Sequence, residues 1–222
     1  MNIPKSMTLP ATALIPSFSM AAGTNLIDFD PRTQNILKGI TTGMLITASI
    51  LLLPEGTSTP KKGMMMITGF IASLAIINLS TQVLKHSKAS AITSLYFDAL
   101  SDGVMLGALL DELKTFKKIR PLLLPMSIEM ALTGSNTVKI LEEENVKNPK
   151  IQVTLAAAIL GLSIFFGKKL GKKLNKEFVI GFGSASMLWL ALNEFMPSLS
   201  KFPTLINNLS IYVGIIASLF LE

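Results

Sequence analysis

Hydrophobic residues occur along this chain in eight long runs, which are separated by short polar or basic segments. Each run is long enough, at 1.5 Å per residue, for a helix to cross most or all of the roughly 30 Å apolar core of a bilayer. The pattern therefore predicts an all-α polytopic membrane protein with one transmembrane domain over residues 1–222. The predicted spans cover about residues 7–24, 36–53, 63–84, 91–110, 120–138, 151–167, 178–196 and 204–221.

The first run is the least regular, because it contains Pro10 and Pro16 and several Ser and Thr residues. Lys5 in front of it and the small residues 21–23 behind it are also compatible with a signal peptide. We favour a first membrane helix interrupted by proline. Further along, residues 111–120 are predicted to form a basic loop, and Pro121 suits the first turn of the fifth span.

The composition supports a membrane location. Only 15% of the residues are charged and the mean hydropathy is +0.54, whereas soluble domains carry about 25% charged residues. The chain has no cysteine, which excludes disulfides and thiolate metal ligands. The net charge of +6 comes from lysines clustered between the apolar runs, a distribution that suits lipid headgroups better than nucleic acid. No Ser/His pairing or histidine metal motif lies in a span, so we do not expect an enzyme.

Two acidic residues lie inside the fourth run. Asp98 and Asp102 are four residues apart, so a helix places them on one face, and Asp102 is close to the middle of the span. The nearest basic residues along the chain, Lys88 and Lys114, lie outside the span at either end. An aspartate at the centre of a membrane helix costs about 2.5–3.5 kcal/mol on insertion scales, and such residues usually mark a functional site.

The fifth run contains a third acid, Glu129, near mid-depth, with no Lys or Arg between Arg120 and Lys139. If Asp98, Asp102 and Glu129 face one another, they cannot all stay ionised in a low dielectric unless a cation joins them. A divalent cation with oxygen ligands is the simplest occupant. The alternative is that the three acids are protonated and hydrogen-bonded to helix carbonyls.

Several polar residues are candidate additional ligands. Those near the three acids are Ser101, Ser127 and Asn136. Glu194 lies close to the end of the seventh span, where it is either a gate or secondary ligand or a simple interfacial carboxylate.

A short internal repeat relates the second and seventh runs. Residues 43–48 followed by Pro54 match residues 186–191 followed by Pro197, with Met, Leu, Ala and Pro identical at a constant offset of 143. Because an odd number of crossings separates the two runs, the repeated units run in opposite directions. Inverted repeats of this kind are typical of transporters, whose site lies at the repeat interface near the membrane midplane.

Two glycine pairs have the spacing that lets membrane helices approach closely. They are Gly39 with Gly43 and Gly103 with Gly107. The second pair is predicted to hold the fourth helix against a neighbour and so to fix the position of the carboxylates.

The fourth run resembles the fourth membrane helix of ZIP-type (Zrt/Irt-like) divalent metal transporters. That helix has a pattern of roughly His-Asn-x-x-Asp/Glu-Gly followed by small and apolar residues. Here Asp98 and Ala99 stand at the His and Asn positions, and Asp102-Gly103 match directly. Residues 125–129 resemble the fifth-helix motif of that family, with its last position matched by the glutamate. Residues 43–55 and 187–197 are similar to its second and seventh helices.

The resemblance implies eight helices, an inverted three-helix repeat around helices four and five, a metal route between them, and a homodimer. The histidines and the bridging Asn of the family site are absent here. An all-oxygen site favours harder ions such as Mn²⁺, Mg²⁺ or Ca²⁺ over zinc. The resemblance implies a divalent metal ion as the substrate, and the sequence leaves open which of Mn, Zn, Fe, Mg and Ca it is.

The charge distribution and the family imply different orientations. Twelve basic residues lie on the N-terminal side of the predicted membrane and eight on the other, which favours a cytoplasmic N-terminus, whereas the family places it outside. Three functions are compatible with the sequence. They are a ZIP-like carrier of divalent cations, a proton-linked small-solute transporter, and a transport-inactive membrane scaffold of the same fold.

Overall fold

A computed structural model of the chain describes residues 15–24, 30–53, 59–86, 91–113, 116–196, 199 and 205–221; within these ranges the side chains of 80–86, 91, 111–113, 116–119, 194 and 221 are not described. The described residues form eight helices and no strand, which confirms the all-α prediction. The helices are α1 (15–24), α2 (Pro31–Leu52), α3 (Pro60–His86), α4 (Ala91–Leu113), α5 (Phe116–Glu143), α6 (Pro149–Gly171), α7 (Lys176–Trp189, continued by π-helical Leu190–Phe195) and α8 (Leu205–Leu221).

Helix α5 begins earlier than its apolar run. It starts at Phe116, so Pro121 lies inside the helix together with Pro125, and the prediction that Pro121 occupies the first turn is wrong. The predicted basic loop is likewise shortened, because Lys and Arg are good helix formers and continue the helix into the basic segment. Each internal proline lacks an N–H group and therefore removes one hydrogen bond from α5.

The start of α2 is fixed by a cap. The carboxylate of Asp30 accepts hydrogen bonds from the backbone N–H groups of Arg32 at 2.9 Å and Thr33 at 3.0 Å, and also from the Thr33 hydroxyl. Pro31 follows at the first helical position, where its missing N–H costs nothing.

We expect Asp30→Ala to lower the melting temperature at pH 7 by removing this cap. The hydrogen bond from the Thr33 hydroxyl and that from the Thr33 backbone lower the pKa of Asp30 below its ordinary value of 3.8. The stabilisation is therefore complete above that ordinary value and disappears as the pH falls through the lowered pKa. Thermal unfolding by circular dichroism should show a difference between wild type and variant at neutral pH that narrows in acid. Glu143→Ala, at an exposed carboxylate, is the control, and an Asp30→Ala difference independent of pH would contradict the role of the charge.

The helices associate through glycines that bring backbones into contact. In four helix pairs, α1·α5, α2·α8, α3·α7 and α4·α6, each helix contributes a glycine that lies against the backbone of the other. The glycines of these pairs are Gly23 and Gly134, Gly43 and Gly214, Gly69 and Gly181, and Gly107 and Gly167, respectively. A side chain at any of these positions would separate the two helices.

The α4·α6 pair shows this packing over three turns. A Cβ atom on Gly107 would lie 2.8 Å from the carbonyl carbon of Ile164, and one on Gly171 would lie 3.0 Å from the Cα of Ala108. About two turns before the contact between Gly171 and Ala108, the buried Ser163 hydroxyl donates to the carbonyl of Ala99 at 3.3 Å. The contacts advance in the same direction along both helices, so α4 and α6 are parallel. The predicted close packing at Gly103 and Gly107 is confirmed.

The other predicted pair, Gly39 and Gly43, packs in the same way on α8. A Cβ atom on Gly39 would lie 2.9 Å from the Cβ of Ser210, and one on Gly43 would lie 2.9 Å from the backbone nitrogen of Ile215. Close packing at this pair is confirmed as well.

The outer surface of the bundle is apolar, whereas its interior contains many hydroxyl groups. Among the described helices, three are long and apolar enough to cross a membrane: Pro31–Leu52, Pro60–Leu79 and Pro149–Gly171. Large hydrophobic side chains are exposed along α3, α6 and α8, including Ile67, Ile71, Leu162, Phe166, Leu209, Val213, Ile216 and Phe220. Exposing an apolar surface of this extent to water would be energetically unfavourable.

Candidate functional site

The two aspartates of α4 lie on the face that turns toward α7. Leu109 is seven residues after Asp102 and so shares its face, and the Leu109 side chain packs against Gly183 of α7, where an added Cβ would lie 2.8 Å from its Cγ. Gly103, about 100° further around the helix, faces α6 instead. Asp98 is exposed and Asp102 is half-buried. The face of α4 that packs closely on α6 is therefore different from the face that carries Asp98 and Asp102.

Glu129 lies on the interior side of α5. It is buried, with 4% of its surface exposed, and it interacts with neighbouring groups. The half-buried Thr133 and Asn136 continue its face at helical spacing,. Gly134, which packs on α1, is about 140° away around the helix at 3.6 residues per turn. The polar stripe of α5 therefore faces away from α1 and into the bundle, where α2 packs against α5.

Helix α2 adds hydroxyl groups to the same interior. Thr41, Thr42, Thr47 and Ser49 are all buried. Each donates its hydroxyl proton to a carbonyl of its own helix, at distances between 2.7 and 2.9 Å. A hydroxyl that donates to the backbone still has lone pairs that can accept a hydrogen bond or contact a cation. These hydroxyls add polar groups, without further charge, to an interior whose other buried side chains are mainly hydrophobic.

The candidate secondary ligands lie in different surroundings. Ser101 is exposed and donates to the carbonyl of Asp98 at 3.0 Å. Ser127 donates to the carbonyl of Leu123 at 2.7 Å and, being seven residues before Gly134, lies on the α1 side of α5, away from Glu129. Asn136 shares the Glu129 face, and the side chain of Glu194 lies outside the described part of the structure.

The three predicted acidic ligands do not form one cluster. Within the described residues, no three Asp, Glu, His or Cys side chains come close enough together to hold a metal ion. The side chains of Asp98, Asp102 and Glu129 are all described, so the expected convergence of the three does not occur in this conformation. The reason is helix pairing, since α4 packs mainly on α6 and α5 mainly on α1 and α2. Their role as cation ligands stays a prediction.

The π-helical segment Leu190–Phe195 of α7 is a feature that the sequence analysis missed. A tight turn joins α6 to α7, so α7 runs antiparallel to α4, and the contact between Leu109 and Gly183 places Asp102 at about the level of Leu190,. The Asn193 side chain donates to the carbonyl of Trp189 at 3.2 Å. π-Helical turns occur frequently at functional sites, but the amino-acid pattern of this segment does not differ from that of an ordinary helix.

In comparisons with known proteins, no protein-family model and no curated protein matches this chain. The resemblance to ZIP transporters therefore stays an interpretation of the motifs quoted above.

Proposed function

We propose that this chain is an integral membrane protein that carries a divalent cation past the polar groups of its interior, with Asp102 and Glu129 as the main ligands and Asp98 nearer the entrance. The observation that supports this proposal is the burial of carboxylates inside a bundle whose outer surface is apolar. Glu129 is buried, Asp102 is half-buried, and both lie on helix faces that turn away from the apolar exterior. Ionisable residues in such surroundings usually belong to a transport pathway.

The chemistry of the interior favours a hard cation. The candidate donors are carboxylate, hydroxyl and amide oxygens, since the chain has no cysteine and its single histidine lies outside the predicted spans. Oxygen donors suit Mn²⁺, Mg²⁺ and Ca²⁺ better than Zn²⁺. A conformation that carries the ion would bring Asp102 closer to Glu129, because a dication needs charge from both.

The pairing of the helices supports an inverted repeat as part of this proposal. If α1–α3 correspond to α6–α8 and α4 to α5, the pair α1·α5 corresponds to α6·α4, and α2·α8 corresponds to α7·α3. Glycines at two of these contacts are related by nearly the same difference in residue number. Gly23 and Gly167 differ by 144 in residue number, and Gly69 and Gly214 differ by 145.

The short sequence repeat fits this correspondence. Gly43, which packs on α8, corresponds at the offset of 143 to Ser186. Ser186 makes a hydrogen bond of 2.8 Å with Ser73 on α3. Equivalent positions of the repeat therefore contact the two helices that the correspondence relates.

One observation favours the alternative of a proton-linked small-solute transporter. The described residues form no group of three acids that could hold a metal ion, and a buried carboxylate such as Glu129 can exchange a proton without any metal. In that function Glu129 would be protonated and deprotonated during transport, and divalent ions would not affect the stability of the protein.

Metal-dependent thermal stabilisation separates these functions. We expect millimolar Mn²⁺ or Ca²⁺ to raise the melting temperature of the purified protein, because a ligand at a hundred times its Kd stabilises the folded state by about 2.7 kcal/mol. Asp102→Asn should remove the shift, whereas Glu143→Gln, at an exposed carboxylate, should keep it. If no divalent ion shifts the wild-type melting temperature, the proton-linked transporter or the inactive scaffold becomes the better interpretation.

A further inference from the structure

One end of the bundle carries a dense group of lysines. The lysine face, as we call it, consists of Lys61 and Lys62 at the start of α3, Lys168 and Lys169 in the last turn of α6, Lys172 and Lys173 in the following turn, and Lys176 at the start of α7. The α3 and α7 parts lie side by side, because Lys62 forms an ion pair of 3.6 Å with Glu177. The α6 part is joined to α7 directly by the turn.

The turn that presents these lysines is ordered. The backbone N–H of Lys173 donates to the carbonyl of Leu170 at 2.9 Å, and that of Leu174 donates to the same carbonyl at 3.2 Å. Asn175 then caps α7, its side chain accepting from the N–H of Glu177 at 3.0 Å. The positive charges are therefore held on a fixed backbone, and a ligand that binds them need not order the chain.

The two ends of the bundle differ in charge balance. At the lysine face, Glu177 is the acid among the described side chains of α3, α6 and α7, and it already pairs with Lys62. At the opposite end, acids and bases alternate: Asp30, Arg32 and Lys38 lie at the start of α2, and Lys139, Glu142, Glu143, Glu144, Lys147 and Lys150 lie around the turn between α5 and α6. Among these described side chains the excess of positive charge therefore lies at the lysine face. Asp111 and Glu112, in the last turn of α4, belong to the same end of the bundle, because α4 runs parallel to α6.

The lysine face lies where the apolar surface of the bundle ends. Phe165, Phe166 and Leu170 are exposed on α6 immediately before and among the lysines, and Leu174 is exposed in the turn. On α3, Met64 is exposed directly after the lysine pair. Lysines at such a border extend their ammonium groups to the level of lipid phosphates while their methylene chains cover apolar surface.

We propose that the lysine face binds the headgroups of anionic lipids in the adjacent leaflet. Favourable interaction with the α6 helix dipole accounts for lysines in the last turn but not for Lys172, Lys173 and Lys176, which lie beyond that helix. The apolar border favours a lipid over a soluble anion or a nucleic acid, because only a lipid contacts both the border and the charges. The inference rests on the membrane embedding in the proposed function and is independent of cation transport.

The test is lipid selectivity of the purified protein in neutral detergent, measured by native mass spectrometry with phosphatidylglycerol and phosphatidylcholine. Wild type should prefer phosphatidylglycerol. The triple variant Lys169→Gln, Lys172→Gln, Lys173→Gln should lose about fivefold in this preference for each lysine removed, and the corresponding triple Lys→Arg variant should retain it. The matched control is Lys139→Gln, Lys147→Gln, Lys150→Gln at the opposite end, which should behave as wild type. If the triple Gln variant does not fold, the single variants Lys172→Gln and Lys173→Gln, at exposed positions, should each lose about fivefold in phosphatidylglycerol preference.

Three results would overturn the proposal. The first is an equal loss of phosphatidylglycerol preference in both triple Gln variants, and the second is no loss of that preference in the lysine-face variant. The third is binding of glycerol phosphate or a short DNA duplex as tight as the binding of phosphatidylglycerol. The thermal shift with Mn²⁺ or Ca²⁺ is measured on the same samples. Lost lipid preference with a retained ion shift supports the lysine face as a separate site. A wild type with lipid preference but no ion shift overturns the proposed transport alone.

Discussion

Replacing Asp102 with Asn should abolish uptake of divalent cations into liposomes while leaving the helical fold intact. The substitution keeps the shape of the side chain and removes one negative charge from a site that must neutralise a dication. Removing one partner of a partly buried charge pair typically costs about 2–5 kcal/mol, which is at least about thirtyfold in affinity. Uptake of Mn²⁺ into proteoliposomes measures the loss, and circular dichroism verifies the helical content.

Variants at the other carboxylates define the site. Glu129→Gln should be nearly as severe, because Glu129 is the most deeply buried of the three acids. Asp98→Asn should be milder, because Asp98 is exposed and lies one turn nearer the start of α4. Glu143→Gln, on the polar surface, should resemble wild type. Normal uptake by Asp102→Asn would show that the interior carboxylates are not the cation site.

Gly107→Leu should prevent the stable association of α4 with α6. An added Cβ would lie 2.8 Å from the carbonyl carbon of Ile164 and 2.9 Å from the backbone nitrogen of Lys168. Both are backbone atoms and cannot rotate away, so the helices must separate. Overpacking of a filled interior costs about 1–3 kcal/mol, and we expect the upper part of this range or more, together with loss of Asp102-dependent ion binding. The melting temperature in detergent and the monodisperse fraction on gel filtration measure the effect.

Gly63→Leu is the matched control for this prediction. Gly63 also lies in a helix, near the start of α3, but no atom lies within 4 Å of the position of its added Cβ. Replacing a helical glycine without a packing role should be neutral or stabilising, since leucine is a better helix former by up to about 1 kcal/mol. Equal destabilisation by both variants would mean that Gly107→Leu acts through helix propensity and not through the α4·α6 contact.

The sequence by itself determined where the helical elements lie along the chain and two of the places where helices meet closely. Eight apolar runs are local patterns, and each one contains a helix among the described residues. The glycine spacing at Gly39–Gly43 and Gly103–Gly107 also predicted close contact correctly, because a missing side chain is a property of the residue itself. That these helices cross a membrane, and that the acids bind a cation, remain predictions.

Only the tertiary structure decided which helices are partners and which interior groups meet. Glycine spacing predicts that a helix approaches a neighbour but does not name the neighbour, and α6 for α4 and α8 for α2 follow from the complementary backbone surfaces of whole helices. That choice directs Asp102 toward α7 and Glu129 away from α1, so the two acids lie on neighbouring helices without completing the expected trio. Helical periodicity assigns each carboxylate to a face of its own helix. The distance between two such faces depends on how all the helices between them pack, so it cannot be predicted from a local sequence pattern.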